Sequence, residues 1–305
     1  MSRLTIVALA VLFTLSGGCQ APNDDHAEAQ LVRVPYQSTF DQSDREYFVY
    51  LPKGYHEDDT TKWPVMLFLH GNGERGNGKN ELDYTLAHGP IYEAWVQKRD
   101  LPFIIIGPQL HMHGRDSVIG YLKNRSPENY LKRLATGVPE READFATTVH
   151  MSGRPADENY PYESYGPVVG WETVEQDLID MLDQTLKNYK TDKSRVYLSG
   201  LSYGGFGTWY LGSKHPDRFA AINPIVGWGH KELMKPLAEH RMPIWCYAGG
   251  RDLVIQKQYF YPGLNELERL GHMARFTIEA DMGHDVWKRV YAGQDIYDWL
   301  LSHRK

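Results

Sequence analysis

Cysteine is nearly absent: Cys19 and Cys246 are the two in 305 residues. That excludes a fold held by a disulfide framework, and a chain of this length buries enough surface to do without one. Positive charge is in deficit, 33 Lys and Arg against 39 Asp and Glu, for a net charge of −6. Nucleic acid is therefore not expected as a partner, because phosphate binding wants a basic surface. Runs of like charge, internal repeats and low-complexity tracts are also missing. After the first residues no apolar stretch approaches the roughly 20 residues that cross a bilayer. What is present is 42% hydrophobic and 24% charged residues, the ordinary balance of a globular protein.

The N-terminus reads as a targeting segment. Arg3 precedes an apolar run from Leu4 to Leu15, followed by Ser16, Gly17, Gly18 and Cys19. This is the pattern of a secretory signal peptide over residues 1–18, and the run is too short to span a membrane. Cys19 directly after small residues resembles the lipobox of bacterial lipoproteins, in which the Cys is acylated. Residues 19–30 are polar and small and read as a tether between anchor and domain. With Cys19 lipidated, Cys246 has no partner and sits in the apolar run 243–247 as a buried thiol. The expected location is extracytoplasmic, in a bacterial periplasm or at a cell surface, with a membrane contact only through the lipid.

Residues 31–305 alternate strand-like and helix-like segments. Residues 31–40 and 45–51 suggest an N-terminal hairpin. Apolar strands fit 63–69, 103–106, 195–199, 219–226, 243–247 and 275–279. Helical periodicity fits 81–98 (with a break at Gly89-Pro90), 171–189, 206–214, 256–270 and 285–302. Buried strands alternating with helices imply an α/β domain with a mostly parallel sheet covered on both faces. The pattern stops at about 110–170, where aromatics such as Tyr121, Tyr130, Phe145, Tyr160, Tyr162 and Tyr165 argue for an inserted, lid-like segment. Its first half carries Arg115, Lys123, Arg125, Lys132 and Arg133, a bias suited to a carboxylate-bearing substrate.

The chemistry concentrates after strands. Gly200-Leu201-Ser202-Tyr203-Gly204 joins a strand to a helix, which is the setting of a nucleophile elbow. Ser202 needs a base and the base needs an orienting carboxylate. Asp252 and His284 follow two later strands in the required chain order. Asp281 and Asp285 are rival acids, but they share the loop of His284. Gly71-Asn72-Gly73-Glu74-Arg75-Gly76 follows the strand 63–69, and the N–H groups of Asn72 and Tyr203 are candidates for an oxyanion hole. His70 reads as a support for that loop. The same glycines imitate a dinucleotide fingerprint and a P-loop, but the first lacks its helix and acidic residue and the second has Asn80 where Ser or Thr is needed. His111, His113 and Asp116 lack a convincing metal spacing, so no metal or cofactor is expected. Trp228 and Trp287 are candidate pocket residues, with core packing the alternative.

These motifs, together with His215-Pro216-Asp217-Arg218-Phe219 and Gly283-His284-Asp285-Val286-Trp287, resemble bacterial α/β-hydrolase carboxylesterases. The group includes phospholipase/carboxylesterase and feruloyl-esterase-like enzymes, some labelled predicted peptidases. The resemblance implies Ser202 as nucleophile, Asp252 as acid, His284 as base, and Asn72 and Tyr203 as oxyanion donors. It implies a small-molecule or polymer-borne ester as substrate. Tyr203 departs from the usual Met or Gln and would narrow the acyl side. The alternatives are a serine peptidase or amidase, and a non-catalytic ligand-binding module.

Overall fold

The computed structural model describes residues 27–56, 60–126, 157–162 and 164–305, with residues 146–148 as backbone. The signal segment, Cys19 and the middle of the insertion, including Tyr130, Lys132, Arg133 and Phe145, lie outside the described residues. The strands are β1 (Gln30–Gln37), β2 (Asp44–Leu51), β3 (Trp63–Leu69), β4 (Ile104–Gly107) and β5 (Ala146–Thr148). They continue with β6 (Thr191–Leu201), β7 (Ala221–Ile225), β8 (Trp245–Gly249) and β9 (Arg275–Glu279). They form one nine-stranded sheet in the order β1-β2-β4-β3-β6-β7-β8-β9-β5.

The hairpin β1–β2 is antiparallel and joins β4 antiparallel, while β4, β3, β6, β7, β8 and β9 run parallel. The parallel strands are buried on both faces, as their continuous apolar sequences require. Two apolar layers flank the sheet. One gathers Leu67, Leu198 and Ile222 with Leu178, Leu182, Trp209 and Leu264 from the covering helices. The other gathers Met66, Phe68, Ile105 and Tyr197 with Val290, Ile296 and Tyr297. Cys246 is a buried free thiol, and desolvation pushes its pKa far up, so it is inert.

The helical period at 171–189 resolves into a 3₁₀ turn, Trp171–Val174, and the helix Glu175–Asn188. The single helix expected at 285–302 is two, Trp287–Ala292 and Asp295–Leu301, separated at Gly293. The expected break at Gly89 is real: its φ is +85°, and a Cβ there would meet the Phe68 ring at 2.1 Å. The insertion is not devoid of structure. It carries short helical turns at Arg115–Val118 and Gly120–Lys123, and β5 pairs antiparallel with β9 at the far edge of the sheet.

Candidate active site

The carboxyl ends of β3, β6, β8 and β9 converge on one group of side chains. β6 runs into the helix Tyr203–Lys214 through Ser202, whose φ of 52° and ψ of −114° are strained for a non-glycine residue. Close packing around the turn enforces that conformation. A Cβ on Gly204 would fall 1.8 Å from the Leu69 carbonyl oxygen, and one on Gly200 would fall 2.3 Å from that of Gly204. The Ser202 N–H donates to the Ile225 carbonyl at 2.9 Å, tying the turn to β7.

His284 follows β9 and Asp252 follows β8. The His284 Nε2 lies 3.0 Å from Ser202 Oγ, and its Nδ1 lies 2.7 Å from Asp252 Oδ2. The other Asp252 oxygen accepts from the N–H groups of Val254 at 2.7 Å and Ile255 at 2.9 Å. The Asp252 side chain is fully buried, so these bonds and the imidazole satisfy it where water cannot. The rival acids are engaged elsewhere. Asp281 takes a two-pronged bond from Arg289, and Asp285 pairs with Lys288 at the surface.

Asn72 opens the 3₁₀ turn Asn72–Glu74 and Tyr203 opens its helix, so each N–H lies where helical turns leave donors unpaired. A Cβ on Gly71 would sit 3.6 Å from the Ser202 Cβ, which places this turn against Ser202. Arg75 holds the loop: its Nε donates to Asn72 Oδ1 at 2.7 Å, and its terminal nitrogens donate to the carbonyls of His111 and Val169. Its guanidinium also lies over the Tyr203 ring, 4.7 Å from the centroid. His70 is buried, with Nδ1 on the Gly71 carbonyl and Nε2 accepting from the Leu110 N–H. Burial pulls its pKa down to about 3, so it is a neutral support of the loop.

A pocket of about 220 Å³ opens beside Ser202, lined by Asn72, Glu74, His88, Tyr121, His284 and Trp287 among others. Trp287 is thus in the wall. Trp228 is a correction: it is wholly buried, outside this lining, and packs against Phe206 with Tyr160 and Tyr162 stacked on it. Glu74 and His88 were missed. Glu74 sits inside a glycine-rich loop that reads as backbone chemistry, and His88 belongs to a segment with no motif. Tyr121 is one of the aromatics expected in the lid-like segment.

Both described ends of the insertion touch the site. Tyr121 accepts from the Asn72 side chain, while Tyr162 and Tyr165 pack on Phe206 and Tyr210 of the helix Tyr203–Lys214. Arg125 is not a free cation for substrate. It donates to the Gly73 and Arg75 carbonyls and pairs with Glu81 at 2.8 Å, clamping the insertion to the Asn72 loop. Among the described residues, no group of three or more His, Cys, Asp or Glu is arranged to hold a metal, His111 and His113 included.

The architecture is the α/β-hydrolase fold, with Ser202, His284 and Asp252 hydrogen-bonded in sequence at its strand ends. The prolyl oligopeptidase family matches residues 171–230, the stretch that contains the elbow. Acylamino-acid-releasing enzyme 2 of Oryza sativa subsp. japonica is 34% identical over 103 residues, 33% of this chain and 13% of that protein's length. Among solved structures, a thermostable esterase superposes with a TM-score of 0.58 at 22% identity, covering 90% of this chain and 63% of that one. A ferulic acid esterase of the anaerobic fungus Anaeromyces mucronatus superposes at 0.53 with 18% identity, covering 93% of each chain. At such identities the structural likeness establishes the shared fold.

Proposed function

We propose that the protein is a serine carboxylesterase working through an acyl-enzyme. The observation that carries this reading is the continuous chain Ser202 Oγ, His284, Asp252, at 3.0 and 2.7 Å, ending on a strained elbow serine. Ser202 Oγ attacks the ester carbonyl carbon as its proton passes to His284 Nε2. The buried Asp252 carboxylate stabilises the resulting imidazolium. The N–H groups of Asn72 and Tyr203 receive the negative charge on the carbonyl oxygen. The intermediate collapses, the carbon–oxygen ester bond breaks, and His284 returns the proton to the leaving alcohol. Water then repeats the sequence on the acyl-enzyme and releases the acid. No cofactor takes part in this scheme.

The second reading, a serine peptidase or amidase, is favoured by the prolyl oligopeptidase match over residues 171–230. One panel separates the two. Aryl and alkyl esters should be hydrolysed far faster than peptide amides by the wild type. Ser202→Ala should lose on the order of 10⁴-fold or more of that activity. A fluorophosphonate probe should label Ser202. Labelling of another serine removes the assignment, and amide rates matching ester rates select the peptidase. A non-catalytic module would show neither labelling nor turnover. We further propose that the enzyme acts outside the cytoplasm, held to a membrane by lipid on Cys19.

A further inference from the structure

We propose that Glu74 and His88 form a recognition site for a free hydroxyl group on the alcohol part of the substrate, a few bonds from the scissile ester oxygen. This rests on the esterase reading and names the substrate feature that the same pocket selects.

Glu74 is an unusual wall residue. Its side chain is only 5% exposed, yet it lines the pocket together with Ser202. One of its carboxyl oxygens and the Ser202 Cβ lie 3.2 and 3.6 Å from the point a Cβ on Gly71 would occupy. The carboxyl and the Ser202 side chain thus flank the same bare face of Gly71, with the Leu201 side chain beside them. Its other oxygen, Oε1, lies 3.7 Å from His88 Nε2, and Oε2 lies 3.8 Å from His70 Nδ1. Both gaps are too long for a hydrogen bond. The His70 nitrogen is occupied by the Gly71 carbonyl, whereas no hydrogen bond to the His88 ring is found among the described residues.

Nor is the Glu74–His88 pair an ion pair. Burial raises the Glu74 pKa to about 7 and lowers that of His88 to about 4. Through neutral pH the imidazole is uncharged, and the carboxyl is still largely protonated at the mildly acid end. Such a pair offers a donor and an acceptor across a gap, which is the complement of a hydroxyl. An oxygen seated at hydrogen-bond distance from both Oε1 and Nε2 closes it.

The side of the ester follows from the base. His284 must return its proton to the leaving oxygen, so the alcohol lies on the His284 side of Ser202. The Trp287 ring contacts both imidazoles there, with centroids 5.2 Å from His284 and 5.6 Å from His88. Glu74 and His88 thus belong to the leaving-group wall, with Trp287 as the apolar surface between them and the base.

The test uses the full chain and three acetate esters of similar size: 2-hydroxyethyl, 2-methoxyethyl and propyl. The wild type should favour 2-hydroxyethyl over propyl by about tenfold in kcat/KM, with 2-methoxyethyl between them. Glu74→Met and His88→Leu should each bring that ratio close to one, and Glu74→Gln, which keeps a donor, should preserve part of it. Equal kcat/KM for the hydroxyethyl and propyl esters in the wild type overturns the proposal even if no variant folds, and so does a ratio that survives in both variants. Hydrolysis of none of the three, with no probe labelling of Ser202, instead overturns the esterase reading.

Discussion

Single residues in this site are held against their own preferences. Ser202 occupies a positive φ that costs on the order of 1–3 kcal/mol, and the contacts of Gly200 and Gly204 with neighbouring carbonyls keep it there. Glu74 is a second such residue. Its folded pKa of about 7 lies above the ordinary 4.5 because burial disfavours the anion. The groups facing it do not reverse this: His70 and His88 are neutral, and Arg125 and the N–H groups of Gly71 and Glu74 only offset part of the cost. A raised folded pKa means that the folded state binds the proton more tightly than the unfolded state. Stability is then lost as pH rises from about 4.5 to about 7, and the loss stays constant above that. Glu74→Gln removes this term. Relative to wild type, the variant should gain on the order of 3 kcal/mol between pH 4 and pH 8. Denaturant unfolding at the two pH values measures it, and an equal difference at both would show that Glu74 ionises freely.

Among the elements, the described ends of the segment between β4 and the helix Glu175–Asn188 both reach the site. Of the cations in its first half, the structure spends Arg125 on the Asn72 loop. Its described aromatics settle around the elbow: Tyr121 in the pocket wall, Tyr162 and Tyr165 on the flank of the helix Tyr203–Lys214. Arg75 ties the two ends together through the carbonyls of His111 and Val169. A segment so placed should govern which esters enter more than how fast a bound ester reacts. Replacing residues 112–168 by a short Gly/Ser linker should leave a small activated ester cleavable within about tenfold. The selectivity between small and bulky esters should collapse. An unchanged ratio in the folded deletion protein would assign the segment to stability alone.

At the scale of the whole molecule, the sheet places its loops in one row, and the site lies where the parallel strands end, as open α/β sheets dispose their ligand sites. No helix among the described residues is long and apolar enough to cross a membrane. Membrane attachment, if it follows the proposal, depends on Cys19. Cys19→Ser should move the protein from the membrane fraction to the soluble extracytoplasmic fraction, because a lipid anchor needs more than one acyl chain to hold firmly and the thioether carries them. An unacylated wild type that already fractionates as soluble would refute the anchor.

The alternation of apolar strands with amphipathic helices was legible in the sequence because burial on both faces demands continuous runs of Val, Ile and Leu. So was the order of Ser202, Asp252 and His284, each announced by the strand before it. Local rules reach that far because each such feature is set within one strand and the turn that follows. Three matters needed the tertiary structure. Trp228 follows a strand end and Trp287 follows His284 by three, and only packing put one in the core and the other in the pocket wall. The Glu74 carboxyl lies in the pocket wall beside Ser202, a proximity in space that no motif encodes. The short β5 was invisible for the same reason. Three residues acquire strand character only by pairing with β9, more than 120 positions away, and no local periodicity records that contact.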